Sequence, residues 1–160
     1  MRWAALALLV ACGGGGTGKP LRPTVPVSLR LAVLDGGEVA LADFRGRPVV
    51  IHAFTTWSLA ATGDAEQLIA LHRAQGDGGA VVLGLALDLE GYAVVSPWRK
   101  ALDVPYLVAL ADDGVRTGGT ALGQLDTVPT TIVLDRSGVI AHRLERPLAD
   151  GEAAALVADL

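Results

Sequence analysis

Few side chains in this sequence could do covalent chemistry. Its 160 residues include one cysteine and three histidines. Ser58 would act as an oxygen nucleophile only with a base within hydrogen-bond reach and a group to orient that base. His52 precedes Ser58 by six residues, and His72 and His142 fall on other predicted elements. Local geometry therefore places no histidine beside Ser58. We interpret His72 and His142 as half-exposed polar residues and His52 as a partly satisfied strand residue.

Other candidate groups also favour structural roles. The three histidines do not have the spacing of a metal site, so we expect neither a metal nor another cofactor. Asp112 and Asp113 precede a glycine, which is typical of a turn rather than of an acid and base pair. We interpret Trp57 and Trp98 as packing residues, although Trp57 could contact a partner if it lies beside a groove.

The only cysteine, Cys12, ends an apolar N-terminal run. Arg2 supplies positive charge, and residues 3–10 form an apolar segment too short to span a bilayer, which predicts an export signal over residues 1–11. Leu9-Val10-Ala11-Cys12 resembles the lipobox of bacterial lipoproteins, in which cleavage exposes a cysteine that becomes acylated. The alternative is an ordinary secretory signal, with Cys12 discarded or left as a free thiol.

Acylation of Cys12 would anchor the protein to a membrane of a bacterial cell envelope, facing the periplasm. Gly13 in place of aspartate resembles the pattern of lipoproteins sent to an outer membrane, if the cell has two membranes. An acylated sulfur is a thioether, so the mature domain would hold no free thiol. No later segment of the sequence reaches membrane-spanning length.

Residues 12–26 are rich in glycine and then in proline, which predicts a flexible and then stiffer tether ahead of one domain over residues 27–160. Residues 13–19 fit the phosphate-loop spacing G-x-x-x-x-G-K. However, Pro20 follows where a hydroxyl would bind magnesium, and no strand precedes the loop. Nucleotide binding is therefore not expected.

Composition narrows the function classes further. The formal net charge is −4, and half of the residues are apolar. Lysine and arginine are scattered without a basic run, so no nucleic-acid partner is expected. The length suits a single domain with one sizeable core.

The apolar patterns and turn residues predict an alternating order of strands and helices. The predicted strands are 29–33, 38–41, 49–54, 80–87, 106–110, 130–134 and 139–144. The predicted helices are 64–74, a helix opened by Ser96-Pro97 that runs to 102, a short helix near 115–122, and 149–160. This order predicts an α/β fold: a central mixed β-sheet flanked by helices, with a βαβ–ββα core and an N-terminal hairpin.

Three segments resemble the thioredoxin-like superfamily, in its TlpA-like, redoxin branch. Residues 41–50 are similar to the loop and central strand of that family, and Thr55-Thr56-Trp57 to the tripeptide before its C-x-x-C motif. Residues 127–138 resemble the segment that carries its cis-proline, which would be Pro129. The resemblance covers roughly residues 28–160 and implies a thioredoxin-like fold and a family activity of thiol:disulfide exchange.

The sequence departs from this family at its reactive positions. Ser58 stands at the position of the nucleophilic cysteine and Ala61 at that of the resolving cysteine. Disulfide exchange needs a thiolate, and the peroxidase version of the fold also needs a cysteine. We therefore expect a non-catalytic module whose remaining groove, Trp57, Ser58, Val128 and Pro129, binds an extended polypeptide or an envelope protein by strand addition.

Two alternatives remain open at this point. The chain could support thiol-disulfide oxidoreductase activity with sulfur supplied by a partner protein or a bound small thiol. It could also be a purely structural lipoprotein with no groove function.

Overall fold

A computed structural model describes residues 25–160. The predicted export signal, Cys12 and most of the predicted tether lie outside the described residues. The strands are β1 (Arg30–Val33), β2 (Glu38–Ala40), β3 (Val49–Phe54), β4 (Val81–Ala86), β5 (Leu107–Leu110), β6 (Thr130–Leu134) and β7 (Ile140–Leu144). The helices are α1 (Leu59–Gln75), α2 (Tyr92–Ala101), α3 (Asp113–Arg116) and α4 (Glu152–Ala158), with a 3₁₀ turn at Leu41–Phe44.

The seven described strands form one mixed sheet in the order β2-β1-β5-β4-β3-β6-β7. Strands β3, β4 and β5 are parallel, whereas β1 and β6 run antiparallel to their neighbours in that trio. The β1–β2 and β6–β7 pairs are antiparallel. The predicted α/β class, the mixed sheet and the N-terminal hairpin are therefore confirmed.

The core lies on both faces of the sheet, and β3 is at its centre. Every residue of β3 is buried, as its unbroken apolar and β-branched sequence predicts. Val50 and Phe54 pack with residues of α1, α2 and α4, whereas Val49 and Ile51 face the other core cluster. Helices α1 and α2 share a face because the two parallel crossovers run in the same direction across the sheet.

Helix α1 begins earlier than its sequence pattern predicts. It starts at Leu59 rather than residue 64 because the Ser58 side chain caps it. The apolar pattern missed this first turn, whose residues include the exposed Leu59.

The prediction that Ser96-Pro97 opens a helix is wrong. Helix α2 begins at Tyr92, and Pro97 lies inside it. Proline cannot donate the internal hydrogen bond at this position. The buried Val95 and the stacking of Trp98 on Phe54, with ring centroids 4.4 Å apart, stabilise the helix on either side of it.

The two remaining helices also differ from their predicted bounds. Helix α3 covers Asp113–Arg116 rather than 115–122, because Asp112 caps it by accepting a hydrogen bond from the Val115 N–H at 2.8 Å. Helix α4 begins at Glu152, three residues later than predicted. Within residues 25–160, no helix has both the length and the apolar character needed to cross a membrane.

Candidate functional site

Ser58 forms the junction between the central strand and the first helix. Its Oγ accepts a hydrogen bond from the Ala61 N–H at 3.3 Å, and its own N–H donates to the Thr55 carbonyl at 3.1 Å. Ser58 is only 9% exposed, and Ala61 is buried. The hydroxyl therefore caps a helix, a structural role that needs no base.

A buried carboxylate holds the turn before Ser58 in place. Asp88, just after β4, accepts hydrogen bonds from the Thr56 N–H at 3.1 Å and the Thr56 hydroxyl at 2.7 Å. The Arg116 guanidinium donates to the carbonyls of Leu87 and Asp88. These contacts fix the turn that carries Trp57. Sequence reasoning did not single out Asp88, and the only signal for it was a charged residue directly after an apolar strand.

The two tryptophans have different environments. Trp98 stacks on Phe54 in the core, which confirms its packing role. Trp57 is 74% exposed, so the packing interpretation is wrong for this residue. Its ring is available to a partner.

The segment before β6 lies next to this turn. Ala53 is the register partner of Thr130, so Pro129 lies one position beyond the last paired residues, at the end of β3. The Val128–Pro129 peptide bond is cis, as the resemblance implied. The backbone N–H and carbonyl of Val128 have no hydrogen-bond partner within residues 25–160. The register therefore brings Trp57, Ser58, Val128 and Pro129 to one end of the sheet, and their role as a groove remains a prediction.

None of the three histidines, all of which lie within the described residues, forms a hydrogen bond with Ser58. His52 Nδ1 lies 3.1 Å from Thr131 Oγ1, and His52 Nε2 lies 3.9 Å from Asp64 Oδ2. These last two atoms are buried without a hydrogen-bond partner among the described residues, so His52 is partly satisfied, as predicted. His72 and His142 are half-buried, also as predicted.

Burial changes the protonation of this pair. Desolvation lowers the pKa of His52 to about 4. It also raises the pKa of Asp64 to about 6, an effect opposed by the Leu148 N–H, which donates to Asp64 Oδ1 at 3.0 Å. Burial, and secondarily the Asp64 charge, raises the pKa of Tyr106. Sequence reasoning missed Asp64, although it interrupts the apolar face of α1 between Ala61 and Leu68.

The described residues at this end of the sheet include no thiol. Residues 25–160 contain no cysteine, and Ser58 and Ala61 occupy the turn and the first helical turn. The same part of the chain contains no group of three or more His, Cys, Asp or Glu side chains arranged to hold a metal ion. Within residues 25–160, this end of the sheet offers an exposed aromatic ring and the unpaired backbone N–H and carbonyl of Val128.

Comparison with known proteins identifies the family. A sequence model described as Redoxin matches residues 17–159 of the chain. The chain belongs to the Redoxin family. None of the curated proteins compared with this redoxin matches it.

Solved structures agree with the fold of this redoxin. A DsbF homologue from Corynebacterium diphtheriae is 26% identical, with a TM-score of 0.75 over 84% of this chain and 86% of that one. A thioredoxin-family thiol:disulfide interchange protein from Chlorobium tepidum is 22% identical, with a TM-score of 0.72 over 85% and 94%. The exposed lipoprotein thioredoxin Etrx1 from Streptococcus pneumoniae is 20% identical, with a TM-score of 0.64 over 83% and 99%. The predicted thioredoxin-like fold is confirmed.

Proposed function

We propose that this redoxin is an exported, lipid-anchored module that binds extended polypeptide and does not itself exchange disulfides. The observation that carries the proposal is the replacement of both reactive positions by Ser58 and Ala61 in a fold that keeps the surrounding turn. Thiol:disulfide exchange proceeds by attack of a thiolate on a disulfide sulfur, and a serine hydroxyl cannot form half of a disulfide. The one cysteine of the chain, Cys12, precedes the domain.

The backbone beside Pro129 supports polypeptide binding. An extended peptide would pair with the N–H and carbonyl of Val128, which have no partner within residues 25–160, as in other strand additions, and this pairing requires no sulfur. A hydrogen bond of this kind contributes about 0.5–1.5 kcal/mol. The exposed Trp57 ring would add apolar contact and stacking with a bound side chain.

Export and lipidation rest on the N-terminal sequence. Leu9-Val10-Ala11-Cys12 has the lipobox pattern after a short apolar run, and the glycine and proline residues that follow suit a tether. The fold neighbour from Streptococcus pneumoniae is itself an exposed lipoprotein thioredoxin. Incorporation of labelled palmitate by the full chain, lost in Cys12→Ser, is the expected result. Equal labelling of both proteins would contradict acylation at Cys12.

The catalytic half of the proposal is tested by insulin reduction with dithiothreitol. The full-length protein should not accelerate the reaction above buffer. Turnover by the protein alone would reject the proposal. Activity that appears only with glutathione or with an added cysteine-containing envelope protein would instead favour the partner-dependent oxidoreductase.

The binding half is tested by fluorescence anisotropy with labelled extended peptides. Trp57→Ala should weaken binding, whereas Tyr92→Ala, which removes an exposed ring on α2, should not. A peptide N-methylated at the residue that pairs with Val128 should bind about fivefold more weakly, the equivalent of one lost hydrogen bond. Absence of binding by any peptide would favour a purely structural lipoprotein.

A further inference from the structure

Three exposed apolar side chains lie around the turn that carries Trp57. Trp57, Leu59 and Leu89 are 74%, 88% and 82% exposed, and we call them the Trp57 surface. Leu59 begins α1, and Leu89 follows Asp88, whose carboxylate binds Thr56. The hydrogen bonds of Asp88 therefore join the loop after β4 to the turn after β3. Side chains this exposed contribute little to the core, and their position at one turn, joined through Asp88, supports a contact site.

Exposed carboxylates lie in the loops on either side of β3 at this end of the sheet. Glu90 lies next to Leu89 on the β4 side of β3, and Asp126 lies three residues before Pro129 on the β6 side. Both are exposed, and neither forms an ion pair within residues 25–160. Among the described residues, the Asp126 carboxylate accepts a single hydrogen bond, from the neutral Gln124 amide at 3.1 Å.

The basic side chains at this end of the sheet are already engaged. Arg116 pairs with Asp113 at 3.4 Å while it donates to two backbone carbonyls. Arg143 pairs with Glu145 at 2.7 Å and donates to the carbonyl of Leu122. Arg30 and Arg146, also at this end, pair with Glu38 at 3.7 Å and Glu152 at 2.7 Å. Because each cation is matched by its own carboxylate, Glu90 and Asp126 leave this end of the sheet negatively charged.

We propose that the polypeptide bound here is a cationic one, with lysine or arginine next to a large apolar residue. This inference rests on the proposed function and specifies its ligand. The π face of Trp57 and the carboxylates of Glu90 and Asp126 all attract cations, so the cationic side chains of such a peptide would be favoured at this end of the sheet. The apolar neighbour would pack on Leu59 and Leu89. The same charges disfavour an acidic segment or an anionic lipid surface.

The test uses three labelled extended peptides that share their apolar residues and differ at the charged positions, which are lysine, serine or glutamate. Binding to the full-length protein is measured by fluorescence anisotropy at low and at physiological salt. We expect the lysine peptide to bind about tenfold more tightly than the serine peptide, and the glutamate peptide to bind most weakly. The advantage of the lysine peptide should shrink as salt is added.

Substitutions of the carboxylates test whether Glu90 and Asp126 cause the preference for the lysine peptide. Glu90→Gln with Asp126→Asn should lower the affinity for the lysine peptide to that for the serine peptide and leave the serine peptide unchanged. The control, Asp77→Asn with Asp103→Asn, removes two exposed carboxylates that follow the carboxyl ends of α1 and α2, at the opposite end of the sheet. It should leave the preference for lysine intact. Circular dichroism confirms that each variant is folded.

The outcomes separate the two proposals. Equal affinity for all three peptides, or a preference for glutamate, would overturn the cationic ligand and leave polypeptide binding standing. A lysine preference that survives Glu90→Gln with Asp126→Asn would also overturn it. If no peptide binds, the proposed function itself fails, and the inference fails with it.

Discussion

The buried pair of His52 and Asp64 should give this domain a pH dependence that only single substitutions reveal. Their side chains are 2% and 4% exposed, on β3 and α1. In the unfolded chain the pKa of the histidine is about 6.5 and that of the aspartate about 3.8, so at pH 5 both are charged. In the folded domain the two values become about 4 and about 6, so both are neutral. Folding thus moves the proton from His52 to Asp64.

The signs of the two contributions are opposite. The folded state binds the extra proton at Asp64 between about pH 3.8 and pH 6, so this residue increases stability as the pH falls through that window. The unfolded state binds the extra proton at His52 between about pH 4 and pH 6.5, so this residue decreases stability as the pH falls. A difference of one in pKa between the folded and unfolded states corresponds to about 1.4 kcal/mol. Each residue therefore contributes about 3 kcal/mol, and the two contributions nearly cancel.

Urea unfolding followed by circular dichroism between about pH 4 and pH 7 tests this reasoning. As the pH falls from about 7 to about 4, the free energy of unfolding of His52→Asn should rise by about 3 kcal/mol relative to that of the wild type. That of Asp64→Asn should fall by about the same amount relative to the wild type. The free energy of unfolding of the double variant should vary with pH in the same way as that of the wild type. The assignment of opposite protonation changes would be refuted if the stability of both single variants followed the pH dependence of the wild type. It would also be refuted if both deviated from the wild type in the same direction.

Three further outcomes follow from contacts at the turn. Ser58→Ala should lower the free energy of unfolding by about 1 kcal/mol because the Ala61 N–H loses its cap, and Ser58→Asn should restore most of it in the same urea experiment. Trp57→Ala should change stability by less than about 0.5 kcal/mol, since the ring is 74% exposed; a larger loss would mean that the ring packs in the folded state. Ser58→Cys with Ala61→Cys should reduce insulin in the presence of dithiothreitol if only the sulfur atoms were lost, and an inert double variant would mean that the surrounding turn has also changed.

The parts of the fold that could be predicted are those determined by local sequence. Strands β3 and β6 have the predicted bounds because each is a continuous apolar or β-branched run that the sheet buries completely. The α2 prediction failed because proline is a strong signal for a helix start, whereas tertiary contacts of Val95 and Trp98 decide where this helix lies. Packing between distant segments outweighed the local preference.

The sequence predicted only those parts of the candidate site that depend on the family resemblance and on the order of the strands. The resemblance placed Ser58 and Pro129, and the sheet register brings their segments to the same end of the sheet. The contacts of Asp88 with Thr56 and of His52 with Asp64 join residues 32 and 12 positions apart, which only tertiary packing brings together. In both cases the usable signal was a charged or titratable residue within or beside an apolar element.

The residues at this end of the sheet differ in whether folding stability accounts for them. Ser58 caps a helix, Ala61 fills the core and Asp88 satisfies the Thr56 backbone, so each contributes to the stability of the fold. Stability does not explain Trp57, Leu59 and Leu89, because apolar side chains left this exposed to water contribute little to folding. Peptide binding by Trp57→Ala is therefore more informative than any variant of Ser58 or Ala61, since Trp57 is a residue that folding stability does not explain.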